Sequence, residues 1–275
     1  MLFRSLLPLA ACSSSSASTP AKGFTAPTVK LPATAPTSLV VTDIRTGSGP
    51  KAANGDTLIV RYTGVRSADG KEFDSNFAAG KQPFELLLGS GTVIKGWDQG
   101  LVGAQEGGER QLDIPANLAY GANPPSTEVI KPNDALSFVI DIIKVFPGAA
   151  KADQPKVTIT PAGNVGAAKV TELVAGTGDT PPVGSSVALR LVLYRADTGA
   201  ELTSTWGGPA LVFDLGPTTT TYPGFVEAIT GMKVGGRRQV QIPYGSVFKG
   251  QGSKQLQLPA GIDVVVVVDL LGFYS

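Results

Sequence analysis

Short apolar runs separated by glycine- and proline-rich breaks dominate the chain from residue 38 onward. TLIVRYTG at 57 to 64 sets Leu58, Val60 and Tyr62 against Thr57, Ile59 and Arg61, and RQLDI at 110 to 114 sets Leu112 and Ile114 against Gln111 and Asp113. This period of two predicts strands with one face toward a core. FELLL at 84 to 88 and ALSFVIDIIKVF at 135 to 146 predict further strands. A single short helix is predicted over about Trp97 to Val102, flanked by glycines. One small helix with four or five strands cannot make a parallel α/β sheet, which needs repeated crossover helices. The expected unit is an antiparallel sheet curled over one short helix.

That unit occurs twice. GAQEGGERQLDIP at 103 to 115 recurs as GMKVGGRRQVQIP at 231 to 243, with seven of thirteen positions identical at an offset of 128. The same offset relates Gly96 to Gly224 and Asp141 to Asp269, and an offset of 129 relates Arg61 to Arg190 and Gly70 to Gly199. A repeat of this length means two domains rather than a solenoid. PGAAKADQPK at 147 to 156 has linker composition, so the expected boundaries are a first domain at 38–146 and a second at 157–275.

Residues 13–37 are Ser, Ala, Thr and Pro with almost no apolar periodicity, and are expected to form a disordered tether. The twelve residues before them, MLFRSLLPLAAC, put Arg4 ahead of a short apolar run ending in Leu9, Ala10, Ala11 and Cys12. This resembles the signal of bacterial lipoproteins. Cys12 is the one cysteine of the chain, so it has no intramolecular disulfide partner, and lipidation explains its presence in an exported protein. The expectation is a protein lipid-anchored through Cys12 on the outer face of the cell membrane. An accidental cysteine in an apolar N-terminus is the alternative.

Composition narrows the chemistry. Charged residues are 16% of the chain and the net charge is +1, so neither nucleic acid nor an acidic partner is indicated. There is no histidine, which removes His-based triads, His metal sites and a histidine general base. No metal or cofactor is expected.

VRYTG at 60 to 64, DGKEFDSN at 69 to 76, PFELLLG at 83 to 89, VIKGWDQGL at 93 to 101 and IPANLAYG at 114 to 121 follow one another in order and spacing. Together they resemble the signature segments of FKBP-type peptidyl-prolyl cis-trans isomerases over nearly all of residues 38 to 146. The resemblance implies an α+β fold of two tandem FKBP-like domains, each a curved antiparallel sheet wrapped around a short α-helix. By motif match Tyr62, Phe73, Asp74, Phe84, Val93, Ile94, Trp97, Tyr120 and Phe138 fall on pocket positions, with Ile130 beside them. The implied partners are proline-containing folding polypeptides and macrolide inhibitors of the family.

The chemistry suits these residue types. Rotating an X-Pro amide breaks its resonance over a barrier of ~18–20 kcal/mol without making or breaking a bond to carbon. A catalyst therefore needs only a site that favours the twisted amide over the more polar planar one. Trp97 is expected as the floor under the proline ring, and Tyr62, Phe84 and Phe138 as walls. Tyr120 and the backbone N–H of Ile94 are expected as donors, and Asp74 as a fixed carboxylate near the twisted carbonyl.

Taken singly, Phe73, Phe84 and Phe138 read first as core, and Asp74 reads also as a turn or cap residue. The alternative function is a non-catalytic module that holds extended segments as a chaperone would. The second domain is expected to keep the fold and lack the activity. In register, Leu191 stands for Tyr62, Leu202 for Phe73, Thr203 for Asp74, Leu211 for Phe84, Tyr222 for Ile94, Phe225 for Trp97 and Phe248 for Tyr120.

Overall fold

The computed structural model describes residues 25–125, 129–215 and 223–274. Cys12 and the apolar N-terminus, the first half of the expected tether, and Tyr222 lie outside the described residues. The first domain contains strands β1 (Val40–Arg45), β2 (Thr57–Arg66), β3 (Glu72–Ser75), β4 (Phe84–Leu87), β5 (Glu109–Ile114) and β6 (Leu136–Phe146), with helix α1 (Lys95–Gly100) between β4 and β5. The second repeats this order as β7 (Lys169–Val174), β8 (Ser186–Arg195), β9 (Glu201–Ser204), β10 (Leu211–Asp214), α2 (Pro223–Ile229), β11 (Arg237–Ile242) and β12 (Val264–Tyr274).

Each domain is one antiparallel sheet of six strands. In the first, the order is β1-β5-β6-β2-β3, and β4 also pairs with β2. One edge of β2 is thus shared: residues Thr57 to Val60 bond β4, and Thr63 to Val65 bond β3. The chain between β3 and β4 has to leave the sheet and return at this gap.

Alternation along β2 sends Leu58, Val60 and Tyr62 to the helix-bearing side, where they pack with Trp97, Leu101, Leu112, Ile114, Phe138 and Ile140. The helix lies close on β5 because glycines face the sheet. A Cβ on Gly96 would sit 2.4 Å from Ile114 Cγ2, and one on Gly100 2.6 Å from Leu112 Cδ2. Neither distance is tolerable for a real side chain, so these glycines are packing residues rather than helix-end markers.

The structure adds to and corrects the sequence reading at several points. Each domain has six strands, not four or five. The additional β1 is exposed at every position, and β3 has only four residues, so neither carries a clean apolar alternation. The helix spans Lys95–Gly100, starting and stopping two residues before the expected 97–102. Ile94, in extended conformation, starts it, and Leu101 caps it before Gly103 at φ 77°.

The chain ahead of each repeat is bound to it, including part of the stretch expected as a free tether. Residues 25–37 have no helix or strand, but the Gln111 carboxamide clasps the Lys30 main chain, accepting from its N–H (3.2 Å) and donating to its carbonyl (2.7 Å). Leu31 packs over the turn at Gly70. After the 147–156 segment the same arrangement recurs: Ile159 packs over Gly199, and Gln241 donates to the Gly163 carbonyl (2.8 Å). Ile159 lies in a second buried layer on the outer side of the sheet, with Val192, Tyr194, Trp206, Val265 and Val267. Each repeat therefore includes a strap over the outer sheet face. The straps also account for five consecutive valines, Val264 to Val268: both faces of β12 are covered, so alternation with polar residues is not required.

Candidate functional site

The main cavity of the first domain, about 400 Å³, opens at the gap between β3 and β4. Five aromatic side chains form its wall and floor. Trp97, delivered by α1 and only 4% exposed, lies at the base. Around it Tyr62, Phe138 and Phe84 stand edge-on, with ring centroids at 5.1, 5.3 and 6.1 Å and interplanar angles of 86°, 84° and 82°. Phe73 meets Phe138 at 5.5 Å and 85°. Such T-shaped arrangements place positive ring edges against negative faces and contribute about 0.5–1.5 kcal/mol per pair beyond burial. They set the rings upright around an open centre. The Trp97 indole N–H is buried without a hydrogen-bond partner among the described residues.

The polar groups sit on one side. The Tyr62 hydroxyl donates to Asp74 Oδ2. Burial first, and then the bond and charge of Asp74, push the Tyr62 phenol well above its ordinary value. Tyr120 follows the turn Ala116–Leu118, is 37% exposed, and is likewise raised, by burial and by the Asp74 charge. Both phenols are therefore neutral donors over the ordinary pH range, grouped around one carboxylate. Val93 and Ile94 line the mouth from the loop entering α1, and Phe84 lines it from β4, 39% exposed.

The structure brings nine of the expected residues together at this cavity: Tyr62, Phe73, Asp74, Phe84, Val93, Ile94, Trp97, Tyr120 and Phe138. Ile130, expected beside them, is 5% exposed and packs in the core with Leu136 and Trp97, outside the cavity lining. The turn that follows it, closed by Lys131 N–H donating to Asp134 (2.7 Å), leads directly into β6 and the core.

Four contributing residues escaped the sequence reading. Thr92 also lines the cavity. Asp98 accepts from the N–H groups of Gly89 (2.8 Å) and Gly91 (2.9 Å), fixing the loop that delivers Thr92, Val93 and Ile94. An acidic residue in the first turn of a short helix was the available signal. Asn76 accepts from the Tyr62 N–H (2.8 Å) and donates to the Val60 carbonyl (3.2 Å), anchoring the chain as it leaves β3. Gly64 makes room for the rings: a Cβ there would lie 2.6 Å from Phe138 Cε1 and 2.8 Å from Phe73 Cζ. No sequence pattern marks that contact, since it joins three strands.

In the second domain strand register agrees with the correspondences of Leu191, Leu202, Thr203 and Leu211. Leu193 pairs with Thr203 as Gly64 pairs with Asp74, and Leu189 pairs with Leu211 as Val60 pairs with Phe84. Leu193 occupies the position of Gly64 and is buried in a core cluster with Leu191, Val266 and Ile242, against which Leu202, Phe225 and Phe248 pack.

The profile of FKBP-type peptidyl-prolyl cis-trans isomerases matches residues 49–143 and 178–271, together more than half of the chain. An FK506-binding protein of Streptomyces anulatus is 44% identical over 110 residues, covering 40% of this chain and 88% of that protein. One from Neisseria meningitidis serogroup C is 41% identical over 109 residues, covering 40% of this chain and 97% of its own. Among solved structures, FkpA from Escherichia coli aligns with 36% identity over 44% of this chain and 52% of that one, at a TM-score of 0.36.

Proposed function

Because the chain belongs to the family of FKBP-type peptidyl-prolyl cis-trans isomerases, we propose that its first domain catalyses rotation about X-Pro bonds, through the cavity built on Trp97. The observation that carries this reading is the combination of an upright aromatic basin with polar groups on one rim only. The proline ring rests on Trp97 between Tyr62, Phe84 and Phe138. In that dry setting the charge-separated planar amide is less favoured than in water, whereas the twisted amide, having lost its resonance, gives up little solvation.

The carbonyl that leaves conjugation needs donors. Tyr120 supplies a phenol, and Ile94 supplies an N–H that the helix ladder leaves unused, because Ile94 stands at the helix N-cap in extended conformation. Asp74, held by Tyr62, presents a fixed carboxylate beside the rotating group. No proton is transferred and no covalent intermediate forms. The same basin is proposed to take a macrolide of the kind named in the relatives' descriptions.

The proposal extends to place and to division of labour. Export and lipid attachment at Cys12 put the isomerase on the outer membrane face, where newly exported proteins fold. Activity resides in the first domain, because Leu191, Thr203 and Phe248 replace the phenols and carboxylate in the second. Purified full-length protein should accelerate cis/trans exchange of an X-Pro peptide in a protease-coupled assay. A well-folded sample that gives only the uncatalysed rate would sink the enzyme reading and leave the alternative, a module that holds extended segments. For the anchor, mass spectrometry of the membrane fraction should find Cys12 as a lipidated first residue; an unmodified N-terminus upstream of it overturns that part.

A further inference from the structure

The outer face of the first sheet carries an apolar patch that the isomerase site does not use. Ile59 and Phe146 are buried in it with Ala188 and Ala210 of the second domain, and the partly buried Ile143, Val212, Leu271 and Tyr274 pack against them. Strand register relates six of these eight residues in three pairs. Ile59 pairs with Lys144 and Ala188 with Gly272; Thr57 pairs with Phe146 and Ser186 with Tyr274. Ile59 and Ala188 are therefore the same position in the two repeats, as are Phe146 and Tyr274, and Ile143 and Leu271. When one patch meets its own counterpart, the contact has the form of a two-fold, isologous interface.

At its centre bulk on one side meets bare backbone on the other, beside a cavity of about 560 Å³ lined by Phe146, Leu271 and Gly272. The second repeat has Ala188 and Gly272 where the first has Ile59 and Lys144, and the Phe146 ring enters the space this leaves. A Cβ on Gly272 would be 2.9 Å from Phe146 Cε1. Gly272 also sits at a register shift in β12, where the strand departs from regular pairing.

The connecting chain is bound rather than slack. The Pro147 carbonyl accepts from Arg190, Gly148 N–H donates to Asp56 of the first domain (2.8 Å), and the Ala149 carbonyl accepts from Gly207 N–H (3.0 Å). Arg61, at the position equivalent to Arg190, spends its guanidinium within its own domain, on the carbonyls of Asn76 (2.6 Å) and Lys81 (3.1 Å). In the second repeat this arginine has been redirected in part to the linker.

We infer that the second domain is the docking partner of the first: the chain closes a two-fold dimer contact within one polypeptide, and the two domains travel as one body with their helix-bearing faces apart. The Trp97 pocket lies on the far side of its sheet from this contact, so docking leaves it open. A segment held on the second domain's helix-bearing face would be separated from that pocket by both sheets.

The test uses the full chain with a protease site inserted between Ala152 and Asp153, in the exposed turn of the linker. After cutting, the halves should elute from a sizing column as one species of full mass at micromolar concentration. Gly272→Leu, which drives a side chain into the Phe146 ring, and Ile143→Asp, which charges the patch, should each split that species into two folded fragments of about half the mass, with circular dichroism retained. Separation of the unmutated halves overturns the inference. So does persistence of the single species in both variants. If a variant precipitates once cut, the unmutated nicked chain decides the matter by itself.

Discussion

The two domains share a strand order, a helix and a register, and they differ in how an equivalent volume beside the helix is filled. In the first domain Gly64 contributes nothing, so the rings of Phe73 and Phe138 pack against bare backbone and stand upright around Trp97. In the second, Leu193 fills that position and the neighbours shrink to Leu202 and Val266. Aliphatic side chains stand there where the first domain has rings. The first domain's pocket thus depends on a missing side chain at Gly64 as much as on the ones that line it.

Truncating the floor should separate the domains most sharply. Trp97→Ala should remove isomerase activity down to the background rate and destabilise the first domain by roughly 3–5 kcal/mol. Phe225→Ala, the equivalent change in the second, should lower stability and leave peptide isomerisation intact. Chemical denaturation together with the coupled assay reads both. Loss of activity in Phe225→Ala would mean that the second domain takes part in catalysis.

Exchanging the space-making position is the next largest effect. Gly64→Leu should displace Phe73 and Phe138, costing about 1–3 kcal/mol of stability and weakening macrolide binding and turnover together. Leu193→Gly should open a void in the second domain without creating activity, because Thr203 and Phe248 supply neither the carboxylate nor the phenol. Titration calorimetry with a macrolide ligand checks the first variant, and the peptide assay checks the second.

Tyr120→Phe should be milder. It keeps the apolar wall and removes one donor, a change of about 0.5–1.5 kcal/mol in transition-state stabilisation for a neutral hydrogen bond, read as a fall in kcat/KM with the fold unchanged. A loss as large as that of Trp97→Ala would make the phenol the centre of the mechanism.

The smallest expected effect is that of pH. Tyr62 and Tyr120 are both raised above the ordinary value of 10.0, so both remain protonated through the neutral and mildly alkaline range. The stability they contribute is complete below that ordinary value and is lost as pH rises past it toward the folded-state values. Activity should accordingly show no alkaline limb from these tyrosines between about pH 7 and 9. A limb in that window that disappears in Tyr120→Phe would show that burial does not hold the phenol neutral.

Much of this architecture follows from local information. Alternation in TLIVRYTG and RQLDI expresses which face of a strand is buried, and five ordered motifs mark eight of the cavity's residues, with Phe138 a ninth in the apolar run 135–146, because each lies on a strand, a turn or a helix with its own sequence pattern. The duplication, too, is written in the repeated glycines. What depended on tertiary structure is whatever joins distant segments. β1 and β3 form strands because of the partners they pair with, since their own sequences are exposed or short. The stretches at 25–37 and 147–156 read as free chain from composition, yet become straps and clamps through Gln111, Arg190 and Asp56, which lie far away in sequence. Ile130 is buried by core residues that come to it from other segments, Trp97 and Leu101 among them. The open pocket and the contact between domains rest on Gly64 and Gly272, residues without side chains, whose meaning lies in what approaches them; a sequence specifies such empty space only once the chain has folded around it.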